Sequence, residues 1–92
     1  MAKTEKDQYF KIRKERRDYL GERYFKFNYN SEKVVQVCLN PGDVKKGKSN
    51  TFGIYLIHRL TFASNYMAPN YIEVCSKKEY EKQFKKAIKL LE

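Results

Sequence analysis

The strongest structural signal in this sequence lies in the segment from residue 76 to residue 92. Ser76 and Glu79 form an S-x-x-E capping box, in which the hydroxyl and the carboxylate bond to free amides of the first helical turn. Apolar residues then recur at the spacing of one helical stripe, namely Tyr80, Phe84, Ala87, Ile88 and Leu91. This pattern predicts an amphipathic helix over residues 77–91 that packs its apolar stripe against another element.

The opposite side of this predicted helix is lined by lysines: Lys78, Lys82, Lys85, Lys86 and Lys89. Like charges four residues apart on a helix repel each other by a few tenths of a kcal/mol. Such a row is either a solvated face or a surface that contacts a polyanion, and the sequence leaves both interpretations open.

Upstream of this helix the hydrophobic period changes to two, which predicts strands. Aromatic residues alternate over about 23–29, and Val35, Val37 and Leu39 alternate in the next run. The four polar residues between these runs, Asn30 to Lys33, indicate a turn. The two runs therefore predict an antiparallel hairpin.

Two further runs extend this predicted sheet. Residues 51–66 are rich in β-branched and aromatic side chains, which favours a third strand. A helix over 51–63 is the competing interpretation, because a long apolar run fits either structure. Residues 71–75 predict a closing strand after a turn at 67–70.

The N-terminal segment is predicted to be a helix that runs from a Thr4 cap to Leu20 and stops at Gly21. Its second half contains an arginine cluster: Arg13, Arg16 and Arg17. On a helix Arg13 and Arg17 share one face, which suits contact with a phosphate backbone. Surface pairing with nearby acidic groups is the alternative.

The expected fold class is α+β, with an N-terminal helix, a small antiparallel sheet of three to four strands, and a C-terminal amphipathic helix packed on the sheet. A chain of 92 residues is expected to form a single small domain over residues 1–92. Residues 1–4 are expected to be disordered, and residues 41–50 to form a basic loop.

A net charge of +9 restricts the partners that such a domain attracts. Lysine and arginine are concentrated at the two ends and in the 41–50 loop, whereas residues 51–75 contain one arginine and one glutamate. A basic surface of this density attracts polyanions, so nucleic acid is the expected partner. Within the loop, phosphate contacts are expected from Lys45, Lys46, Lys48 and Ser49.

The same loop matches a nucleotide-binding motif, because Gly42 to Ser49 satisfies G-x-x-x-x-G-K-[ST]. A genuine P-loop is followed by a helix and belongs to a parallel sheet built from long crossover units. The residues that follow Ser49 start a β-branched run instead. We therefore expect a loop that is either solvated or in contact with a polynucleotide backbone.

The sheet offers a second candidate surface for nucleic acid. If Phe25 and Val37 face the helices, the other face presents Tyr24, Lys26, Gln36, Tyr55, Arg59 and Tyr71. Aromatic rings among basic side chains are typical of platforms on which bases stack. The alternative is that the first helix covers this face and the tyrosines belong to the core.

The sequence gives little support for a catalytic site or a metal site. Cys38, His58 and Cys75 are each about twenty residues apart, which does not fit the ligand spacing of a structural zinc site. We expect no metal, no cofactor and no enzymatic activity. Both cysteines are expected to be reduced and buried.

The sequence thus predicts a non-catalytic nucleic-acid-binding protein that acts on DNA or RNA as a monomer or homodimer. The alternative is a small protein-binding or inhibitory module of the type that phages and mobile elements encode, with a basic surface that covers an acidic patch on its partner. The longest apolar run, Ile54 to Ile57, is far shorter than the roughly 20 residues of a membrane span. A cytoplasmic location without membrane association is expected.

Overall fold

One antiparallel sheet lies between helices in the computed structural model, which describes residues 6–43 and 51–92. In these residues the strand order is β4-β3-β2-β1-β5. The strands are β1 (Gln8–Ile12), β2 (Glu22–Phe27), β3 (Lys33–Asn40), β4 (Gly53–His58) and β5 (Ile72–Val74). The helices are α1 (Arg17–Leu20), α2 (Arg59–Asn65) and α3 (Lys77–Leu91), and a 3₁₀ turn at Lys14–Arg16 precedes α1. The predicted α+β class, antiparallel sheet and C-terminal helix are confirmed.

Each face of the sheet is covered by one of the longer helices. On the α2 face, Phe62 and Tyr66 pack against the strands, and the buried cluster also contains Ile12, Leu20, Phe25, Phe27, Val34 and Ile72. On the α3 face, Tyr80 and Ala87 pack in a second cluster with Tyr24, Val37 and Cys75. The sheet therefore has two cores, one on each side.

Helix α3 begins and ends where the sequence predicts. The Ser76 hydroxyl accepts the amide of Glu79 at 3.0 Å, which is the expected N-cap bond. In the described part of the chain, the other half of the predicted capping box is not formed, because the Glu79 carboxylate accepts hydrogen bonds from Lys11 Nζ at 3.2 Å instead of from an amide of the first turn, and this contact connects α3 to β1.

The prediction of an N-terminal helix over residues 4–20 is wrong. Gln8–Ile12 is strand β1, paired with β2 on one side and β5 on the other, and only Arg17–Leu20 is α-helical. Because α2 and α3 cover opposite faces of the sheet, both faces of β1 are covered, so Phe10 packs towards α2 and Tyr9 towards α3. This two-sided burial resembles a helical stripe in the sequence. Thr4 lies outside the described residues.

The sequence favours a strand after residue 51 with a helix as the alternative, and the structure contains both a strand and a helix there. Strand β4 ends at His58, and α2 starts at the next residue. His58 forms the junction: its Nδ1 accepts a hydrogen bond from the Leu60 amide at 3.1 Å and so caps α2. The described sheet therefore has five strands instead of the predicted three to four.

Arg23 is an arginine inside the protein, with a side chain that is 1% exposed. Its Nε donates to Leu20 O at 2.6 Å, and its two terminal nitrogens donate to Gln36 Oε1 at 2.8 Å and Pro41 O at 2.9 Å. Its guanidinium also lies 5.5 Å from the centroid of the Tyr66 ring. These contacts satisfy a charge that would otherwise be costly to bury.

Both cysteines are free and buried, as expected. Burial raises the pKa of the Cys38 thiol. Burial, with a smaller contribution from the Glu79 carboxylate, raises the pKa of Cys75 to about 11. Neither thiol is activated as a nucleophile, because the thiolate is the reactive form.

Candidate nucleic-acid interface

The outer side of α3 presents a row of exposed lysines. Tyr80, Phe84 and Ala87 pack this helix onto the sheet, and positions two residues away point to the opposite side of a helix. The exposed residues there are Lys78, Lys82, Lys85, Lys86 and Lys89, which we call the α3 lysine row. At 1.5 Å per residue the row is about 16 Å long.

The α3 lysine row is not neutralised by carboxylates. Three ion pairs connect described residues: Lys11–Glu79 at 3.2 Å, Arg13–Glu73 at 3.6 Å and Lys26–Asp7 at 3.8 Å. None of these pairs uses a lysine of α3. Glu79 is held by Lys11, and no ion pair among the described residues joins the exposed Glu81 or Glu92 to a lysine of the row, so the five lysines keep a net positive charge.

The arginine cluster is not on a helix face, contrary to the sequence prediction. Arg13 Nε donates to Pro69 O at 2.7 Å, and Arg16 Nε donates to Asn70 O at 3.2 Å. The guanidinium of Arg16 also lies 5.7 Å from the centroid of the Tyr71 ring. Arg13 and Arg16 therefore hold the turn that leads into β5, and the exposed Arg16 keeps terminal nitrogens that a phosphate can reach.

Arg17 has a local role. Its Nε donates to Ile12 O at 3.5 Å, and the side chain is half-buried. It does not extend the phosphate-facing stripe that a helix over 4–20 would have made with Arg13.

The predicted tyrosine platform on one face of the sheet is wrong. Tyr24 pairs with Val37, whereas Phe25 pairs with Gln36, which in turn pairs with Tyr55. Residues directly opposite each other point to the same face of a sheet, so Tyr24 and Tyr55 lie on opposite faces. The predicted grouping of Phe25 with Val37 fails for the same reason.

Tyr24 is part of the core and does not offer its ring to a base. It is 2% exposed beneath α3, and its hydroxyl donates to Glu22 Oε2 at 3.2 Å. Burial, with a smaller contribution from the Glu22 carboxylate, raises the pKa of Tyr24 to about 12.

The other predicted sheet residues occupy separate places. Lys26 is on the α3 face in its ion pair with Asp7, and the Tyr55 hydroxyl bonds to Thr51, donating to its carbonyl at 3.0 Å. Arg59 is exposed at the hairpin end of the sheet, where a terminal nitrogen donates to Tyr29 O at 3.0 Å. Arg13 and Arg16 are at the opposite end, so the predicted site residues do not form one patch.

The basic loop residues Lys45, Lys46, Lys48 and Ser49 lie outside the described residues. At the start of this loop, Asp43 N–H donates to Asp18 O and Tyr19 O, at 3.2 and 3.0 Å. The first element described after the P-loop-like motif is β4, and every strand pairing in the described residues is antiparallel. The motif therefore lacks the helix and the parallel sheet that a nucleotide-binding P-loop has.

The lysines of the α3 lysine row were not among the predicted site residues. Their sequence signal is the repetition of like charge at i and i+4 on the outer side of an amphipathic helix. A solvated helix shows the same repetition of like charge. The pattern therefore indicates a binding surface only when the ion-pair partners of the lysines are known.

Two further kinds of site are not seen in the described part of the chain. No three His, Cys, Asp or Glu side chains are grouped there as a metal would require. Over residues 6–43 and 51–92, no helix combines the length and the apolar character of a membrane-crossing segment.

No family model, curated protein or solved structure matches this chain.

Proposed function

We propose that this protein binds nucleic acid without catalysis, through phosphate contacts made by the α3 lysine row. The observation that carries the proposal is that five exposed lysines follow one side of α3 and none has a carboxylate partner among the described residues. Arg16, Arg59 and the lysines of the 41–50 loop are proposed as additional phosphate contacts.

The dimensions of the row suit a polynucleotide backbone. The row is about 16 Å long, so it can contact more than one successive phosphate of a polynucleotide strand. Each phosphate that is neutralised releases condensed counterions, and this release drives binding. The repulsion among the lysines, a few tenths of a kcal/mol per pair, is relieved when a polyanion binds.

The decisive experiment compares two triple variants with the same change of charge. Lys82, Lys85 and Lys89 are replaced by Ala in the first variant, and Lys6, Lys14 and Lys33, which are also exposed and without an ion pair, in the second. Alanine is the best helix former, so α3 is retained. The affinity for a short duplex and for a single strand is measured over a series of salt concentrations.

We expect the α3 variant to lower the slope of log K against log salt by about three units, because the slope is close to 0.9 per phosphate contact for duplex DNA. The control variant is expected to change it by less than about one unit. Equal losses in the two variants would mean that net charge alone attracts the polymer, and an unchanged slope in the α3 variant would remove the row from the proposal.

The contribution of the loop is tested separately by replacing Lys45, Lys46 and Lys48 with Ala. If the loop contacts phosphates, the salt slope falls by up to about three units, in addition to the effect of the α3 variant. An unchanged slope would restrict the interface to the helix.

The buried position of Tyr24 leads us to propose that phosphates, not stacked bases, are the groups recognised. Binding should then depend weakly on base sequence. Gel-shift assays with single-stranded and duplex DNA and RNA at two salt concentrations test this point, and a strong preference for one base sequence would contradict it.

One observation favours the second candidate function, a protein-binding module. A groove of about 590 Å³ lies beside α3 and is lined by Val35, Ile54, Tyr80 and Phe84 as well as by Lys26, Glu81 and Lys85. Apolar walls suit protein side chains better than phosphates. Protein purified at low salt without nuclease distinguishes the two functions: copurified nucleic acid raises the ratio of absorbance at 260 and 280 nm, whereas a protein-binding module shows neither this rise nor a gel shift.

Nucleotide binding by the P-loop-like motif is tested by thermal unfolding with ATP or GTP and magnesium. A ligand at 100 times its dissociation constant would stabilise the fold by about 2.7 kcal/mol. We expect an unchanged unfolding temperature, and a clear rise would show that the protein binds a nucleotide, contrary to our interpretation of the motif.

A further inference from the structure

Strand β4 has an unpaired outer edge. It is the last strand on its side of the sheet, and no described strand pairs with it there. The Arg59 amide donates to Glu32 O at 2.8 Å, next to the Lys33–His58 pair. Since hydrogen-bonded and non-hydrogen-bonded pairs alternate in an antiparallel ladder, Ile54 and Leu56 direct their backbone N–H and C=O groups away from β3. His58 also directs its N–H away from β3, while its C=O, as that of the N-cap residue, starts the hydrogen bonds of α2.

The composition of β4 leaves this edge open to pairing. Gly53–His58 contains no Lys, Arg, Asp, Glu or Pro, the residues by which natural proteins usually block an edge strand. Leu56 is 68% exposed on it, and Leu60, at the start of α2, is also 68% exposed. The opposite edge, β5, has only three residues and is a poorer template.

We propose that β4 pairs in antiparallel orientation with β4 of a second copy of this chain, across a twofold axis at Leu56. In this register Leu56 lies opposite its own copy and Ile54 lies opposite His58. The outward N–H and C=O groups of Leu56 and the outward N–H groups of Ile54 and His58 then gain hydrogen-bond partners, and the exposed leucine is covered by its twin.

The uncharged, apolar composition of β4 is what favours a second copy as the occupant. Two chains of net charge +9 repel each other overall, but at β4 neither copy has a lysine, an arginine or a carboxylate, so the two edges can approach with little local repulsion. The register is also self-complementary, which an isologous twofold interface requires. An unrelated peptide would need to supply its own match to Leu56.

The symmetry of this pairing places both copies of α3 on one side. A twofold axis that relates neighbouring antiparallel strands is perpendicular to the sheet, so each face remains on its own side and the sheet extends to ten strands. The two α3 lysine rows then form one basic surface. The dimer itself does not depend on the proposed function, although it would increase the avidity of phosphate binding.

The first test is sedimentation equilibrium of the full chain without nucleic acid, over a range of protein concentrations and at two salt concentrations. We expect the mass to rise from 11.1 kDa towards twice that value, with tighter association at higher salt because repulsion between the copies is screened. Binding to nucleic acid has the opposite salt dependence. A mass of one chain at every concentration would overturn the proposal.

Leu56→Lys and Val74→Lys form a matched pair of variants. Both residues are exposed on edge strands, Leu56 on β4 and Val74, at 79% exposure, on β5. Leu56→Lys places two like charges together on the axis, so its dimer dissociation constant should rise by about a hundredfold or more. Val74→Lys should leave it unchanged, and a dimer that survives Leu56→Lys would contradict the proposed edge.

Cross-linking tests the register directly. Hydrogen-bonded partners in an antiparallel pair have Cα atoms about 5.5 Å apart, within the range that a disulfide spans. Under mild oxidation Leu56→Cys should form a covalent dimer and Val74→Cys should not, while Cys38 and Cys75 are buried and do not interfere. No cross-link at position 56, or equal cross-linking at both, would overturn the register. If the dimer fails and the polymer still binds, only this inference is lost.

Discussion

The two faces of the sheet are covered by helices of very different length, and the face under the shorter helix has the larger cluster of buried residues. Helix α2 has 7 residues, yet Phe62 and Tyr66 are each 1% exposed. The Phe62 ring lies 4.9 Å from the ring of Phe25 and 6.0 Å from that of Phe27, measured between centroids. Helix α3 has 15 residues and leaves the groove beside Tyr80 and Phe84 open.

The difference shows that burial depends on which side chains a helix inserts more than on its length. Aromatic side chains bury large areas, so a short helix that inserts one ring can contribute as much burial as a longer helix with smaller side chains. Helix α3 packs Tyr80, Phe84 and Ala87 onto the sheet, and most of its remaining surface consists of lysines. We infer that stability resides mainly on the α2 face, while the α3 face combines packing with its basic surface.

The largest expected effect is on the α2 face. Phe62→Ala should lower the free energy of unfolding by about 3–5 kcal/mol, or unfold the chain outright, because it leaves a cavity among buried rings. Phe84→Ala, the matched change on the α3 face, should cost about 1–2 kcal/mol because this residue is only partly buried. Urea denaturation measures both, and equal losses would contradict the comparison.

Alkaline pH should act on the α3 face. Burial raises the pKa of Tyr24 to about 12 from an ordinary value of 10.0, and burial also raises that of Tyr80. The unfolded chain loses these protons at lower pH than the folded chain does. The stabilising contribution of Tyr24 is therefore complete below pH 10 and lost between about pH 10 and 12, at up to about 1.4 kcal/mol per pH unit.

Denaturation at a series of pH values checks this prediction, with Tyr24→Phe as the comparison. The phenylalanine variant should show a smaller decline above pH 10, because it has no proton to lose at that position. The same slope in both proteins would mean that this tyrosine titrates normally in the fold.

The cap of α3 provides a smaller effect. Ser76→Ala removes the acceptor for the Glu79 amide and should cost about 1 kcal/mol, whereas Ser76→Asp keeps an acceptor and should cost less. Thermal unfolding compares the two variants. An alanine variant as stable as the aspartate variant would indicate that packing alone determines where α3 begins.

The smallest effect separates stability from function. Lys82 has like charges at i−4 and i+4, so Lys82→Gln should stabilise the protein by about 0.5 kcal/mol. The same change should weaken polyanion binding. Chemical denaturation and a binding assay at one salt concentration measure both, and a loss of stability would show that this lysine makes a favourable contact.

The sequence predicted α3 well because its information is local. A capping box and a stripe at helical spacing specify the start, the extent and the buried side of α3 without reference to the rest of the chain. The hairpin between β2 and β3 was also predicted, since strand alternation and a polar turn are local signals as well.

The sequence predictions were wrong where the pairing of distant strands determines the structure. Strand β1 lies between two partners, so its two-sided apolar pattern fits a helix as well as a strand. The β2–β3 register places Phe25 opposite Gln36 and not Val37, and a shift of one residue exchanges the two faces of a strand. The tyrosine platform failed for this reason, whereas Lys45, Lys46 and Lys48 of the loop stay a prediction.

The buried Arg23 has a consequence for how the molecule opens. Its guanidinium joins the end of α1, at Leu20, to the residue after β3, Pro41, through one side chain. Local opening of either segment would take away part of the hydrogen bonding of a buried cation, which is energetically costly. In hydrogen exchange, amides around Leu20 and Asn40 should therefore become accessible together, as one cooperative unit.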